Sequence, residues 1–284
     1  MKVFYRPEQV ARISSYSPSA LKPRLVVEDW LKIPLLKIEI CSFEPASPDQ
    51  IALAHDTDFV RDILTGKLSN GFGNTDSDVA RSLPYTTGSM VAAAEYAVLH
   101  REAVCSPTSG FHHACFSGAQ GYCTFNGLMV TALVMKEAGL AHRVGIIDCD
   151  AHYGNGTDDI ISRHGIDWVN HHTMGSHFHD RASADKGKFK RWLDKAIDDC
   201  MDCDLILYQA GADPHVNDPL GGVLTTRQMS ERDRTVFKRL GQRALVWNLA
   251  GGYQTVPGAT DAERIEPVLS LHRETARLHC EILS

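Results

Sequence analysis

The chain has no excess of positive charge, no long apolar run and no cluster of cysteines, and each absence removes a class of function. Its 29 Lys and Arg against 35 Asp and Glu give a net charge of −6 and a pI near 6.1, which offers nucleic acid no electrostatic footprint. No stretch approaches the roughly 18 consecutive apolar residues of a membrane span, so no membrane partner is expected. The opening residues, MKVFYRPEQV, lack the apolar segment of a secretory signal, and a cytoplasmic location is expected. The eight cysteines are scattered through 284 residues, a length that buries a core without covalent staples, so free thiols in a reducing compartment are expected. The one CxxC, Cys200 to Cys203, has no second pair to complete a zinc ribbon and reads as the end of an acidic surface helix. No linker, repeat or low-complexity segment interrupts the pattern, which favours one domain over residues 1–284.

What is present is an alternation of short apolar runs and helical periodicity. Strand-like runs fall at residues 2–5, 103–107, 143–148, 167–172, 204–211 and 243–251. Helical patterns fall between them at 88–101, 126–139, 186–200, 227–241 and 261–282. Short buried runs separated by helices point to an α/β fold, a mostly parallel sheet covered on both faces. Residues 68–85 read as a loop over a site.

Four of the runs end in polar residues that a core does not need. These are Thr108–His113, Asp148–Gly156, Asp213 with the residues up to Gly222, and Gly251-Gly252-Tyr253. Ligands bind at the carboxyl ends of parallel strands, so these clusters are expected to converge. In Asp148-Cys149-Asp150-Ala151-His152, strand alternation puts the two aspartates and the histidine on one side. Zinc takes carboxylate and imidazole ligands and keeps an open position when catalytic. Asp150 and His152 supply two ligands and Asp213 the third. The competing reading, aspartates capping a helix that starts near Gly156, accounts for only one of them.

Adjacent His112 and His113, just beyond a strand, suit general acid–base work, because each imidazole can be tuned by its own partner. Tyr253 after two glycines suits an oxyanion donor. A rival metal cluster, His171, His172, His177 and His179, has only Asp180 as an accompanying carboxylate and reads instead as rim and channel.

These segments, taken in order, resemble the zinc-dependent histone deacetylase family, which includes acetylpolyamine amidohydrolases and acetoin-utilisation proteins. The resemblance is carried by GFHHA (110–114), GYCTFNG (121–127), DCDAHYGNGT (148–157), GADPHVNDPLGG (211–222) and AGGY (250–253). It implies the single-domain, three-layer arginase/deacetylase fold and one Zn2+ per chain at Asp150, His152 and Asp213. His113 is implied as general base and acid, His112 as its electrostatic partner paired with Asp148, and Tyr253 as the group that polarises the carbonyl. Gly121 is implied to receive the substrate amide N–H, while Tyr122 and Phe178 wall the channel. A structural K+ or Na+ is implied near Asp148, Asp150 and His152, with Asn170 and His171 at hand. One departure stands out: Asn155 pairs with His113 where other members carry Asp.

For substrate, Leu220 stands where polyamine-selective relatives place an acidic gate, which favours an acyl-lysine peptide or protein over a small acetylated amine. An arginase-type dimanganese ureohydrolase is the remote alternative. It needs a second D-x-D, whereas this chain reads Asp213-Pro214-His215.

Overall fold

Seven short strands build one sheet in the computed structural model, which describes residues 1–283. They are β1 (Lys2–Phe4), β2 (Glu39–Cys41), β3 (Ala103–Cys105), β4 (Val144–Asp148), β5 (Val169–Thr173), β6 (Leu205–Gln209) and β7 (Leu245–Asn248). The order across the sheet is β2-β1-β3-β7-β6-β4-β5, with every neighbouring pair parallel. All six strands expected from the apolar runs are present. The seventh, β2, is a largely exposed three-residue edge whose sequence, EIC, has too little apolar content to announce itself.

Helices cover both faces: α1 (Lys22–Leu31), α2 (Pro48–Ala52), α3 (Thr57–Leu64), α4 (Ser77–His100), α5 (Gly127–Glu137), α6 (Asn155–His164), α7 (Arg181–Ala184), α8 (Lys188–Asp199), α9 (Thr226–Leu240), α10 (Asp261–Arg264) and α11 (Glu266–Leu283). One face packs Trp30, Phe237 and Trp247 into a core, and the other packs Phe4, Met90, Leu128 and Met129. Each such side chain contributes about 1.5–3 kcal/mol on burial. This is the three-layer architecture of the arginase/deacetylase fold.

The expected loop at 68–85 is corrected in part. α4 begins at Ser77, where the Asp76 side chain accepts from the Asp78 N–H, and it runs through Pro84. The proline does not end the helix, because its apolar stripe (Val79, Met90, Ala94, Ala97) is buried and the Pro84 carbonyl accepts from the Ala46 N–H. The helix expected over 261–282 is split at Ile265 into α10 and α11.

The four strands that end in polar clusters, β3, β7, β6 and β4, are consecutive in the sheet. Their exits therefore open onto one crevice.

Candidate active site

The strand β4 ends at Asp148, and the chain then turns so that Asp150 and His152 face Asp213, four residues beyond the end of β6. Ligand atoms of these three residues all lie within 4.8 Å of one another. His152 Nδ1 stands 3.0 Å from Asp150 Oδ1 and 3.0 Å from Asp213 Oδ2. Both carboxyl oxygens of Asp213 are buried without a hydrogen bond. Burial, then the charge of Asp150, pushes the Asp213 carboxyl up to about 8. Two facing buried carboxylates, that of Asp213 with both oxygens orphaned, and an imidazole form a donor set that a divalent cation satisfies. Zinc fits it in ligand type and number. Gly251 makes the room: a Cβ there would lie 2.5 Å from Asp213 Oδ2 and 2.7 Å from Asp150 Oδ2, and its N–H donates to Asp150 Oδ2 at 2.8 Å.

Alternation had grouped Asp148 with the other two, but it serves the histidines instead. Its Oδ2 lies 2.7 Å from His112 Nδ1, and its Oδ1 accepts from Gln209 Nε2 and the Asp150 N–H. Burial pulls the His112 imidazole down, yet the Asp148 and Asp150 carboxylates outweigh it and lift it to about 9. His113, with its ring 4.2 Å from that of His112, goes the other way. Burial and the charge of His112 lower it, and the hydrogen bond to Asn155 Oδ1 at 2.7 Å offsets this only in part. The pair thus joins a charged His112 to a neutral His113. With Nδ1–H donated to Asn155, His113 presents Nε2 as a free base.

Gly121 has φ +56°, and any Cβ there would meet the His113 ring at 2.5 Å, so the backbone comes close to the base. Tyr122 follows, also in the left-handed region, its ring 5.9 Å from that of Tyr253 and 5.6 Å from that of Phe72. The Tyr253 ring is 6.2 Å from that of His152, and burial with the charges of Asp150 and Asp213 keeps its phenol protonated. The mouth is a cavity of about 480 Å³ lined by His113, His152, Tyr153, Asn155, His179 and Leu220 among others. Leu220 is 42% exposed there.

Phe178 is a correction. It is buried in the core between Phe189 and Trp192, with ring centroids at 5.8 and 6.0 Å, and the neighbouring His179 lines the mouth in its place. The histidines of the rival cluster also go separate ways. His171 bonds Asp158 and His172 faces Asp199, and among the described residues only Asp150, His152 and Asp213 form a metal-type group. The CxxC thiols are buried against Gly145 rather than on a surface.

Sequence reasoning missed Lys22 and the structural part of Asp218. Lys22 is fully buried, and its Nζ donates to the Ala250 carbonyl at 2.5 Å. Asp218 Oδ2 accepts from the Tyr253 N–H at 2.7 Å. Together they hold the turn that carries the phenol. A lysine in an amphipathic helix reads as surface, so only its place before Pro23 hinted otherwise.

A carboxylate–imidazole group able to hold a metal ion, at the carboxyl edge of a parallel sheet and beside a histidine pair and a tyrosine, is an arrangement suited to hydrolysis. Residues 7–187 match the model of the histone deacetylase domain, and the chain belongs to that family of amide hydrolases. It is 27% identical to an uncharacterised protein of Picosynechococcus over 81% of this chain and 82% of the other. It is also 27% identical to the rice protein named histone deacetylase 10, chloroplastic, over 76% of this chain and 59% of that one. The chain therefore spans under two thirds of the rice protein. The crystal structure of an acetylpolyamine aminohydrolase from Burkholderia pseudomallei superposes with a TM-score of 0.73 at 16% identity, covering 97% of each chain.

Proposed function

We propose that this chain is a zinc-dependent deacylase acting on N-acyl-lysine in proteins or peptides and releasing acetate from acetyl-lysine, with one catalytic unit spanning residues 1–284. The observation that carries the reading is the orphaned Asp213 carboxylate facing His152 and Asp150, with the His152 ring 5.8 Å from that of a neutral His113. When bound by Asp150, His152 and Asp213, zinc supplies Lewis acidity to the carbonyl and lowers the pKa of the attacking water. His113 Nε2 takes a proton from that water and later delivers it to the leaving amine. His112, held on Asp148, keeps a positive charge beside it. Tyr253 donates its O–H to the developing oxyanion. The carbonyl of Gly121, whose Cα comes close to the His113 ring, accepts the substrate amide N–H, and Tyr122 flanks the acyl-lysine stem.

The apolar Leu220 at the mouth favours lysine side chains over cationic polyamines. A dimanganese site is disfavoured because His215 Nε2 is bonded to Thr226 Oγ1 at 2.8 Å, directed away from the carboxylates. Among the described residues no helix is long and apolar enough to cross a membrane. The test compares kcat/KM on acetyl-lysine peptides, longer acyl-lysines and acetylpolyamines, alongside metal content. One zinc per chain and preference for acyl-lysine are expected. A preference above about tenfold for acetylputrescine or acetylspermidine would reassign the substrate, and two manganese ions would overturn the reaction class. Tyr253→Phe should lower kcat by about 10²–10³ while zinc content holds.

A further inference from the structure

Cys200 and Cys203 bracket the turn that joins α8 to β6, and neither the metal group nor the histidine pair uses them. Cys200 follows the last residue of α8 with φ −98° and ψ 0°, and the Cys203 N–H donates to the Cys200 carbonyl at 3.1 Å. A four-residue turn brings its first and last Cα atoms within about 7 Å. A disulfide spans about 4.4–6.8 Å between Cα atoms, so the backbone already holds the two residues at a bridgeable separation. The side chains converge as well. Both sulfurs crowd Gly145 on β4, where a Cβ would lie 2.6 Å from Cys200 Sγ and 3.3 Å from Cys203 Sγ. Two sulfurs so close to one point are each other's neighbours, and the thiols stand in hydrogen-bond contact.

Gly145 makes the room for this pair. It lies inside the buried strand VGIID, where a glycine gives up side-chain packing and marks a close approach by something else. Here the sulfurs take the space that a side chain would fill, and even an alanine methyl would collide with Cys200 Sγ. The other cysteines lack such a partner in sequence: Cys41 and Cys115 are the more exposed, yet neither has a second cysteine within three residues. Cys203 is 5% exposed and Cys200 fully buried, so a small oxidant meets Cys203 first. A low-lying thiol with a second thiol poised behind it is the arrangement in which a first oxidation product is resolved as a disulfide.

We propose that Cys200 and Cys203 form a reversible dithiol–disulfide site, in which Cys203 reacts with a peroxide and Cys200 resolves the product. The Cys203 sulfur attacks one oxygen of hydrogen peroxide, the O–O bond breaks, and a sulfenic acid forms as the other oxygen leaves as water. The Cys200 sulfur then attacks the Cys203 sulfur. The S–O bond breaks, and the hydroxyl departs with the Cys200 proton as a second water. Two thiols are oxidised to one disulfide while the peroxide is reduced by the same two electrons, and a thiol reductant reverses the link. The pair sits at the amino ends of β4 and β6, the edge of the sheet opposite the crevice, so it stands apart from the deacylase reading.

The test treats the zinc-loaded full chain with about one to ten equivalents of hydrogen peroxide, then blocks remaining thiols with N-ethylmaleimide in denaturant. No Lys or Arg separates the two cysteines, so one tryptic peptide, residues 196–227, carries both. That peptide is expected to lack both maleimide groups, to be lighter by the two lost hydrogens, and to regain both blocking sites after dithiothreitol. Met201 in the same peptide can only gain oxygen, which its mass distinguishes. Closure should run at least about tenfold faster than loss of the Cys41 and Cys115 thiols. Two blocked cysteines, or oxygen on either one without a link, overturns the proposal. Cys200→Ser should leave Cys203 as a sulfenic acid that dimedone traps, and a brief exposure of the wild-type chain with dimedone present should intercept the same adduct should the variant fold poorly. A trapped Cys200, or none on Cys203 in either experiment, overturns the order of the two steps.

Discussion

Single residues decide the chemistry, and several were legible because their types are costly anywhere else. Asp150, His152 and Asp213 could be read as a ligand set because buried carboxylates need a partner. Lys22 could not, since nothing in PSALKPRL shows that its amine reaches a carbonyl 228 residues away. Gly251 is the residue whose part became visible only in three dimensions. Gly251→Ala places a methyl against the Asp150 and Asp213 carboxylates, so on the proposed zinc site it should abolish zinc retention and activity although the residue bears no functional group. Metal analysis after gel filtration checks this, and a stoichiometric zinc content would refute it. Asn155 sets the base. Asn155→Asp brings a carboxylate against His113 Nδ1 and should raise its pKa by about one unit or more. With His113 as the proposed general base, which acts when neutral, the acidic limb of kcat/KM should move to higher pH and activity near pH 6 should fall. An unmoved limb in the pH–rate profile would show that the partner's charge is unimportant.

Elements were legible where apolar periodicity was strong and illegible where caps and packing did the work. Most of the other strands announced themselves by β-branched and aliphatic runs, β5 (VNHHT) being the polar exception, whereas β2 is exposed and three residues long. The first turns of α4 read as loop because Asn70, Gly71, Gly73 and Asn74 cluster just before them and Pro84 lies within, and the Asp76 cap overrides that composition. Phe178 was misplaced for the opposite reason. Its segment looks like a channel rim, but the Phe189 and Trp192 rings of α8 draw it into the core. Asn126 shows how a cap can tie several elements together. Its Oδ1 accepts from the Met129 N–H at the start of α5, and its Nδ2 donates to the Ala114 carbonyl and to Thr157 Oγ1. Asn126→Ala should cost about 2–4 kcal/mol, from the lost cap and the acceptors left buried. Urea denaturation measures this, and a loss under about 0.5 kcal/mol would mean that the acceptors find other donors.

At the scale of the whole molecule, buried histidines make the fold sensitive to acid. Burial lowers His55 to about 4 and His279 to about 3, and drives His272 well below the ordinary 6.5. His55 Nε2 accepts from the Asn126 N–H, while its Nδ1 donates to the carbonyls of Cys115 and Phe116, which fixes the neutral tautomer. The unfolded chain protonates these rings below about 6.5 and the native one does not, so their stabilisation is complete above that value and is lost as pH falls toward 4. Between about pH 6 and pH 5 the three together should remove about 3–4 kcal/mol of stability. His55→Gln should flatten that slope by about one proton. A stability that is level across this interval in urea titrations would contradict the account.

The reach of Lys22 has a consequence for biosynthesis. Its amine, at the first turn of α1, ends on the Ala250 carbonyl, 228 residues further along the chain and three residues before Tyr253. A nascent chain held on the ribosome short of that turn has the ligands Asp150, His152 and Asp213 but lacks the glycine that seats them and the lysine's acceptor. Such a chain should be unable to seat the three side chains, so hydrolytic competence waits until the turn at Gly251 has been made.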